Sequence, residues 1–343
     1  MKKFKNKLVV ALSVLTLSLG LSGCGKSDKN NATESATAVT TEAVTDVATE
    51  ATTEVTTEAV TEATSTNANT AETVYPLEIT DSFGDVHNIA EEPDRIISVG
   101  PNLTEIIYAI GADDKLVGRT DYCNYPEAVS GVESIGSIQT PDIEKIISLE
   151  PDIVFVSTHF DEENTKTLDE LGIIVVTLYE EKELTGVYDM ITILGEIVNR
   201  NKEASDCVAE MKATIEEVET TVSGLEAPTV YYVVGYGEYG DYTAGGDTFT
   251  GKMLEMAGGD NIAKDISGWS ITLEELIEAD PSIIIISDFM KEDFMKSPNY
   301  TELTAVKEGN VFVMDTDMLD RQGCRNAQGI LELAKIFHPE AFE

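Results

Sequence analysis

Positive charge is what this chain has least of. It sets 23 lysines and arginines against 63 aspartates and glutamates, a formal net charge of −40 in 343 residues. Nucleic-acid binders carry basic patches that displace counterions from phosphates, so that class is excluded. Attachment to anionic lipid by charge is excluded for the same reason. Histidine is scarce too: His87, His159 and His338 are the full supply, and the first and last lie near the ends of the folded region. A receptor for bare zinc or manganese needs several imidazoles or carboxylates converging on one point, which this supply does not favour. The chain has no G-x-S-x-G elbow and no H-E-x-x-H helix, so nothing in it announces an enzyme. No cofactor and no resident metal are implied.

Long apolar runs are also missing, with one exception at the start. Lys2, Lys3, Lys5 and Lys7 form a positive head, and Leu8 to Leu21 is a run of fourteen apolar and small residues. A bilayer span needs ~20 residues, so this run is too short to cross, but it suits the apolar region of a secretory signal. It ends at LSGC, with small residues before Cys24, and resembles a bacterial lipobox. Residues 1–23 then read as a signal peptide and Cys24 as an acylated first residue; the other reading is an ordinary secretory peptide with an incidental cysteine. Lipid on Cys24 would hold the mature chain on the outer side of the cell membrane, because more than one acyl chain gives stable attachment. Cys123, Cys207 and Cys324 remain, an odd number that implies no disulfide framework but permits one bridge.

From Thr41 to Thr64 the chain repeats every four residues, TEAV, TDVA, TEAT, TEVT, TEAV, TEAT. A helix there would stack like charges at i, i+4 along one face, and threonine and valine have little helix propensity to offset this. No lysine or arginine occurs between Lys29 and Arg95. Residues 24–74 therefore read as a disordered, self-repelling tether, about 40 Å long as a random coil. Its threonines leave an O-glycosylated stalk open as the alternative.

Residues 75–343 carry the folded part. Ile96–Val99, Ile153–Val156, Ile173–Val176, Val230–Val233, Ile283–Ile286 and Val311–Val313 are nearly continuous apolar runs. Such runs read as strands buried on both faces, the mark of parallel sheets covered by helices, and the class is α/β. An internal echo divides the region. DIEKIISLEPDIVFVS begins at Asp142 and TLEELIEADPSIIIIS at Thr272, so Glu144 and Glu274, Pro151 and Pro281, and Ser157 and Ser287 are each 130 apart. Leu103-Thr104 and Phe249-Thr250 echo more loosely, each opening a helix that closes at glycine. Two similar lobes are expected, at 75–200 and 226–343. Between them Val208, Met211, Ile215, Val218 and Val222 fall at helical spacing, and a continuous helix over 201–222 would span about 33 Å. That helix, within a 201–225 segment, reads as a spine joining the lobes, with a break near Asn199-Arg200-Asn201 and an end at Gly224 and Pro228.

Several segments in register, RIISVGPNLTEIIYAIGADDKLVG, DYCNYPEAV, IGSIQTPDIEKIISLEPDIVFVS, TAGGDTFTGKMLEMAGGDNIAKD, GWSITLEELIEADPSIIIIS and DRQGCRNAQGILELAKIFHPE, resemble the substrate-binding proteins of cobalamin and iron–siderophore ABC importers. The resemblance runs over nearly all of residues 93–340. It implies two Rossmann-like lobes joined by a rigid helix, a ligand cleft between them, no catalysis, and an ABC permease dimer with its ATPase as partner. Open α/β sheets place ligands beyond the carboxyl ends of their strands. The cleft candidates are Pro101, Asn102, Tyr122, Asn124, Tyr125, His159, Tyr236, Tyr242, Trp269, Arg321 and Arg325, with Thr158 and Tyr239 beside them.

Tyr125, Tyr242 and Trp269 match pocket aromatics of the family, which bury a large flat ligand at low entropy cost. The arginines suit ligand oxygens at the rim, or else form a structural ion pair. Cys123 and Cys324 fall in loops of opposite lobes and are free to bridge or to meet the ligand, while Cys207 reads as a small core residue on the spine. Tryptophans common in cobalamin pockets are replaced here by Ile138 and Ser157. The implied ligand is accordingly a bulky metal chelate, cobalamin or another corrinoid, or a ferric siderophore, with haem as the alternative. Glu144 and Glu274 match the family's two acidic docking residues, one per lobe, which meet arginines on the two permease subunits.

Overall fold

The computed structural model describes residues 71–157, 160–179 and 182–343. The signal, Cys24, the tether up to residue 70, Thr158 and His159 lie outside the described residues. In chain order the first half comprises a hairpin of β1 (Leu77–Thr80) and β2 (Val86–Ile89), then β3 (Ile96–Ser98), α1 (Pro101–Ala109), β4 (Leu116–Arg119), α2 (Ile143–Ser148), β5 (Ile153–Val156), α3 (Glu162–Glu170) and β6 (Ile174–Thr177). Two helices follow, α4 (Leu184–Ile197) and α5 (Asn201–Val222). The second half comprises β7 (Thr229–Tyr232), β8 (Asp241–Tyr242), α6 (Phe249–Met256), β9 (Asp260–Asn261), β10 (Ser270–Ile271), α7 (Leu273–Ala279), β11 (Ile283–Ile286), α8 (Asp288–Lys296), α9 (Thr304–Glu308), β12 (Val311–Val313), α10 (Asp317–Asp320) and α11 (Asn326–Phe337).

All six expected strands form, and every residue of β5 and β11 is buried, as runs of Ile and Val between two helical layers require. Each such side chain taken from water contributes ~1.5–3 kcal/mol. They build two four-stranded sheets, β4-β3-β5-β6 and β9-β7-β11-β12, with every pairing parallel. Counted by chain order within each lobe, both sheets run 2-1-3-4. The echo read at an offset of 130 is therefore a repeated topology. The strands that sequence reasoning did not mark are the ones without an apolar run: β4 is LVGR, β9 is Asp-Asn, β8 and β10 are a two-residue pair of Asp-Tyr with Ser-Ile, and β1 and β2 form a separate hairpin.

The spine lies where its apolar stripe required. α5 runs 22 residues, and its Ala204, Met211, Ile215 and Val218 are buried between α4 on one side and α11 on the other. Asn199 takes a left-handed conformation (φ 56°) at the break before it. Residues 71–74, assigned from sequence to the tether, are instead fastened at this break. Asn201 Nδ2 donates to the Ala71 carbonyl at 2.8 Å, Thr73 N donates to Asn199 Oδ1 at 2.9 Å, and Tyr75 Oη donates to the Ile197 carbonyl at 2.7 Å. Side-chain-to-backbone bonds hold residues 71–75 here, a tie that composition could not show.

The lobes share material beneath their gap. One apolar cluster takes in the inner faces of both sheets with α4, α5, α6 and α11. Separate clusters sit under each outer face, around Ile97 and Ile146 in the first lobe and Tyr231 and Ile284 in the second. No helix among the described residues is long and apolar enough to cross a membrane.

Candidate ligand cleft

In a 2-1-3 strand order, connections leave the first and third strands toward opposite sides, and a crevice opens beyond their carboxyl ends. That rule points at the ends of β3 and β5 in one lobe and of β7 in the other. A cleft of about 650 Å³ lies there, lined by Pro101, Asn102 and Ser157 from the first lobe and by Val234 from the second. Tyr179 and Lys182 extend the first wall; Asp247, Thr248, Phe249, Thr250, Gly268, Trp269, Asp320, Arg321 and Gln322 complete the second.

Two helices aim their N-termini into it. α1 starts at Pro101, whose missing N–H costs nothing at a first helical position. A methyl on Gly100 before it would press on the Asn102 side chain, 2.7 Å from its Oδ1. α6 starts after Thr248, whose hydroxyl accepts from Gly251 N at 3.0 Å. Free N–H groups and the positive ends of two helix dipoles thus face the cleft from opposite lobes and favour ligand oxygens carrying negative charge. Trp269 is 44% exposed, an apolar face open on the second wall.

A charge cluster ties the lobes at the cleft floor. Glu105 of α1, 5% exposed, accepts from Arg325 Nε at 2.8 Å and Arg325 Nη2 at 2.9 Å. Arg321 Nη1 donates to the same carboxylate at 2.8 Å and to Asn124 Oδ1 at 2.7 Å. Asp317 and Asp315 sit against the outer sides of Arg321 and Arg325 at 2.8 and 2.9 Å. Burial opposes the Arg325 charge, but the bonds from Glu105 and Asp315 outweigh it and raise its pKa. The Arg325 guanidinium also lies 4.1 Å from the centre of the Tyr125 ring. Beside this cluster Tyr232 Oη donates to Asp320 Oδ1 at 2.8 Å. Crowding by protein raises the Asp320 carboxyl to about 6, although solvent reaches it through the cleft. Opposite, the Ser267 hydroxyl and Gly268 N–H hold Asp247 below the usual carboxylate range.

The structure brings Pro101, Asn102, Trp269 and Arg321 together on the cleft wall. Asn124, Tyr125 and Arg325 join them through the charge cluster rather than on the wall, and both arginines are engaged in ion pairs. Tyr122 is exposed in the loop of Asn124. Tyr242 stands on β8 beside Ser270, its hydroxyl donating to the Tyr239 carbonyl at 3.0 Å. Tyr236 packs edge-on against Phe294 and Tyr300, at 5.0 and 5.5 Å between centres, inside the second lobe. Cys123 is buried, with Thr104 Oγ1 donating to its sulfur at 3.1 Å. It neither meets the cleft nor bridges Cys324, which is joined instead to Cys207 of the spine. The core role read for Cys207 is thus corrected. Glu105, Lys182, Asp247, Thr248 and Asp320 were missed in the sequence; the N-cap pattern of DTFTG was the one signal available for the middle of that set.

Glu144 and Glu274 occupy the second positions of α2 and α7, the helices that precede β5 and β11, and both are exposed. α2 is capped by Asp142 accepting from Lys145 N, α7 by a reciprocal Thr272–Glu275 box.

Twin parallel-sheet lobes, a shared helical spine and a cleft between strand ends define a two-lobed ligand-binding protein. The chain belongs to the periplasmic binding protein family, whose model matches residues 96–318, and it is a solute-binding protein, not an enzyme. The ABC transporter substrate-binding lipoprotein YvrC of Bacillus subtilis (strain 168) is 33% identical over 286 residues, covering 81% of this chain and 90% of its own. The vitamin B12-binding protein of Vibrio campbellii is 25% identical, covering 71% and 89%. Among solved structures, a periplasmic heme-binding protein from Pseudomonas aeruginosa is 25% identical with a TM-score of 0.66, covering 72% of this chain and 93% of that one.

Proposed function

We propose that this chain is the extracytoplasmic receptor of an ABC importer, held to the cell membrane by lipid on Cys24. It captures a bulky metal chelate, a corrinoid such as cobalamin or a ferric siderophore, and delivers it to the permease. The observation that carries this reading is the cleft itself: an exposed indole on one wall, with two helix N-termini offering donors to a ligand's polar edge. The relatives named for vitamin B12 and for ABC transport support the same direction. Pro101, Asn102, Trp269 and Arg321 make direct contact; Asn124, Tyr125 and Arg325 hold the floor beneath, and Tyr122 and Tyr242 stand at the rim. Tyr236 supports the second wall from behind.

Trp269 is the sole tryptophan, so its fluorescence reports on one wall. Titration with cyanocobalamin, haemin and a ferric catecholate in parallel tests the ligand class. The expected result is quenching by cyanocobalamin at a Kd below ~1 µM, about −8 kcal/mol. Quenching by haemin alone moves the assignment to haem, and no response to any of the three overturns the chelate reading. Glu144 and Glu274 are the permease contacts, one matched charge per lobe, setting register and encounter rate. Glu144→Lys with Glu274→Lys abolishes uptake in cells and leaves chelate affinity unchanged; transport that survives both changes removes the docking role.

A further inference from the structure

The loop from Arg321 to Arg325 is one part of the second lobe that reaches across to the first. Arg321 and Arg325 hold Glu105, and Gly323 between them lies so close to α1 that an added methyl would sit 3.4 Å from Ile106 Cγ1 and 3.6 Å from the Asn102 carbonyl. Cys324, the next residue of this loop, is bonded to Cys207 on α5. We propose that the Cys207–Cys324 bridge is a positioning element: it pins the arginine loop to the spine, so that the two arginines stay locked on Glu105 and the lobes stay clasped at the cleft floor. The inference concerns the clasp and stands whatever ligand the cleft takes.

Three observations carry it. The spine packs against α1 of the first lobe and against α6 and α11 of the second, so a covalent bond to it fixes the loop in the frame of α1 as well as of its own lobe. Within its own lobe the loop is held by non-covalent bonds alone: Asn326 accepts from Gly323 N at 2.7 Å and donates to the Arg321 carbonyl at 3.0 Å, and Asp317 and Asp315 pair with Arg321 and Arg325. Such bonds add on the order of 1 kcal/mol each and leave room for local opening. Finally, the bridge lies in a groove of about 400 Å³ along the spine, between Glu203, Asp206 and Glu210. A reductant can reach it there, and those carboxylates disfavour thiolates and repel anionic thiols.

Reduction with dithiothreitol tests the proposal on the unmodified protein. The dithiol gives two electrons and two protons to the sulfur–sulfur bond, leaving two protein thiols and its own cyclic disulfide; Cys123, already a free thiol, is unaffected. Deuterium uptake is then read by segment, with no ligand present. The expected result is faster exchange in 321–325 and, across the cleft, in α1, by roughly tenfold, with the sheets unchanged. In Glu105→Gln, or Arg321→Gln if that variant fails to fold, α1 exchange is already fast and reduction adds little to it. The proposal is overturned if reduction leaves α1 unchanged in the wild type. It is equally overturned if α1 accelerates as much in the variant, or if the whole chain accelerates together.

Discussion

At the scale of single residues, two acids at the cleft floor carry separate predictions. Asp320 is raised to about 6 by the protein around it, with Tyr232, Arg321 and Thr316 pulling the other way. Between the ordinary aspartate value and about 6 the folded state binds more protons than the unfolded state, so stability falls as pH rises through that window. The wild type should lose stability relative to Asp320→Asn between pH ~4 and ~7, by about 1 kcal/mol once solvent access is discounted. Urea unfolding at several pH values reads this; parallel curves for the two proteins exclude it. Glu105 is the other case, an anion enclosed by two cations and 5% exposed. Removing one member of such a buried set leaves uncompensated charge, so Glu105→Ala should cost about 3–5 kcal/mol in denaturant unfolding. A loss under about 1 kcal/mol would mean that the arginines simply turn to Asp315 and Asp317.

At the scale of elements, continuous β-branched runs and a three-and-four stripe are signals a single sequence can carry. Six strands and the spine were legible because Ile96, Val154, Ile284 and Met211 are buried on account of their own side chains. β4 and β9 were not, because Gly118 and Asp260 take their places from the neighbouring strands they pair with. The cleft was half legible for a related reason. Pro101 and Asn102 follow directly from a strand end, whereas Glu105 and Arg325 are 220 residues apart and meet only once the lobes dock. Tyr236 was ambiguous, because an aromatic in a glycine-rich loop looks the same whether it lines a gap or packs partly buried against Phe294 and Tyr300. The spine itself carries a stability prediction. Ile215 is 5% exposed on the buried stripe of α5, and Ile215→Ala should cost about 2–5 kcal/mol through lost burial and the cavity left behind. A midpoint shift in guanidinium unfolding at constant slope checks it.

At the scale of the whole molecule, twin lobes of repeated topology invite the expectation that each folds alone. About 270 residues in two α/β units would ordinarily unfold in two steps. The packing argues otherwise. The inner face of each sheet is closed by helices that belong to one continuous cluster, in which Phe155 and Leu194 of the first half share a body with Ile215 of the spine and with Tyr232 and Leu333 of the second half. Unfolding one lobe would strip the cover from α5 and expose the apolar face the other lobe rests on. Asp280 and Asn199, the left-handed turns that end α7 and precede α5, are local features and do not divide this body. The Lys252–Glu183 ion pair and the Glu105 cluster tie the lobes again on the cleft side. The described residues of both lobes and the spine belong to a single compact unit, and scanning calorimetry should show one transition whose calorimetric and van't Hoff enthalpies agree. Two resolved transitions would show that the spine insulates the lobes instead of joining them, and a receptor so built would close on its ligand by a hinge rather than hold a cleft already formed.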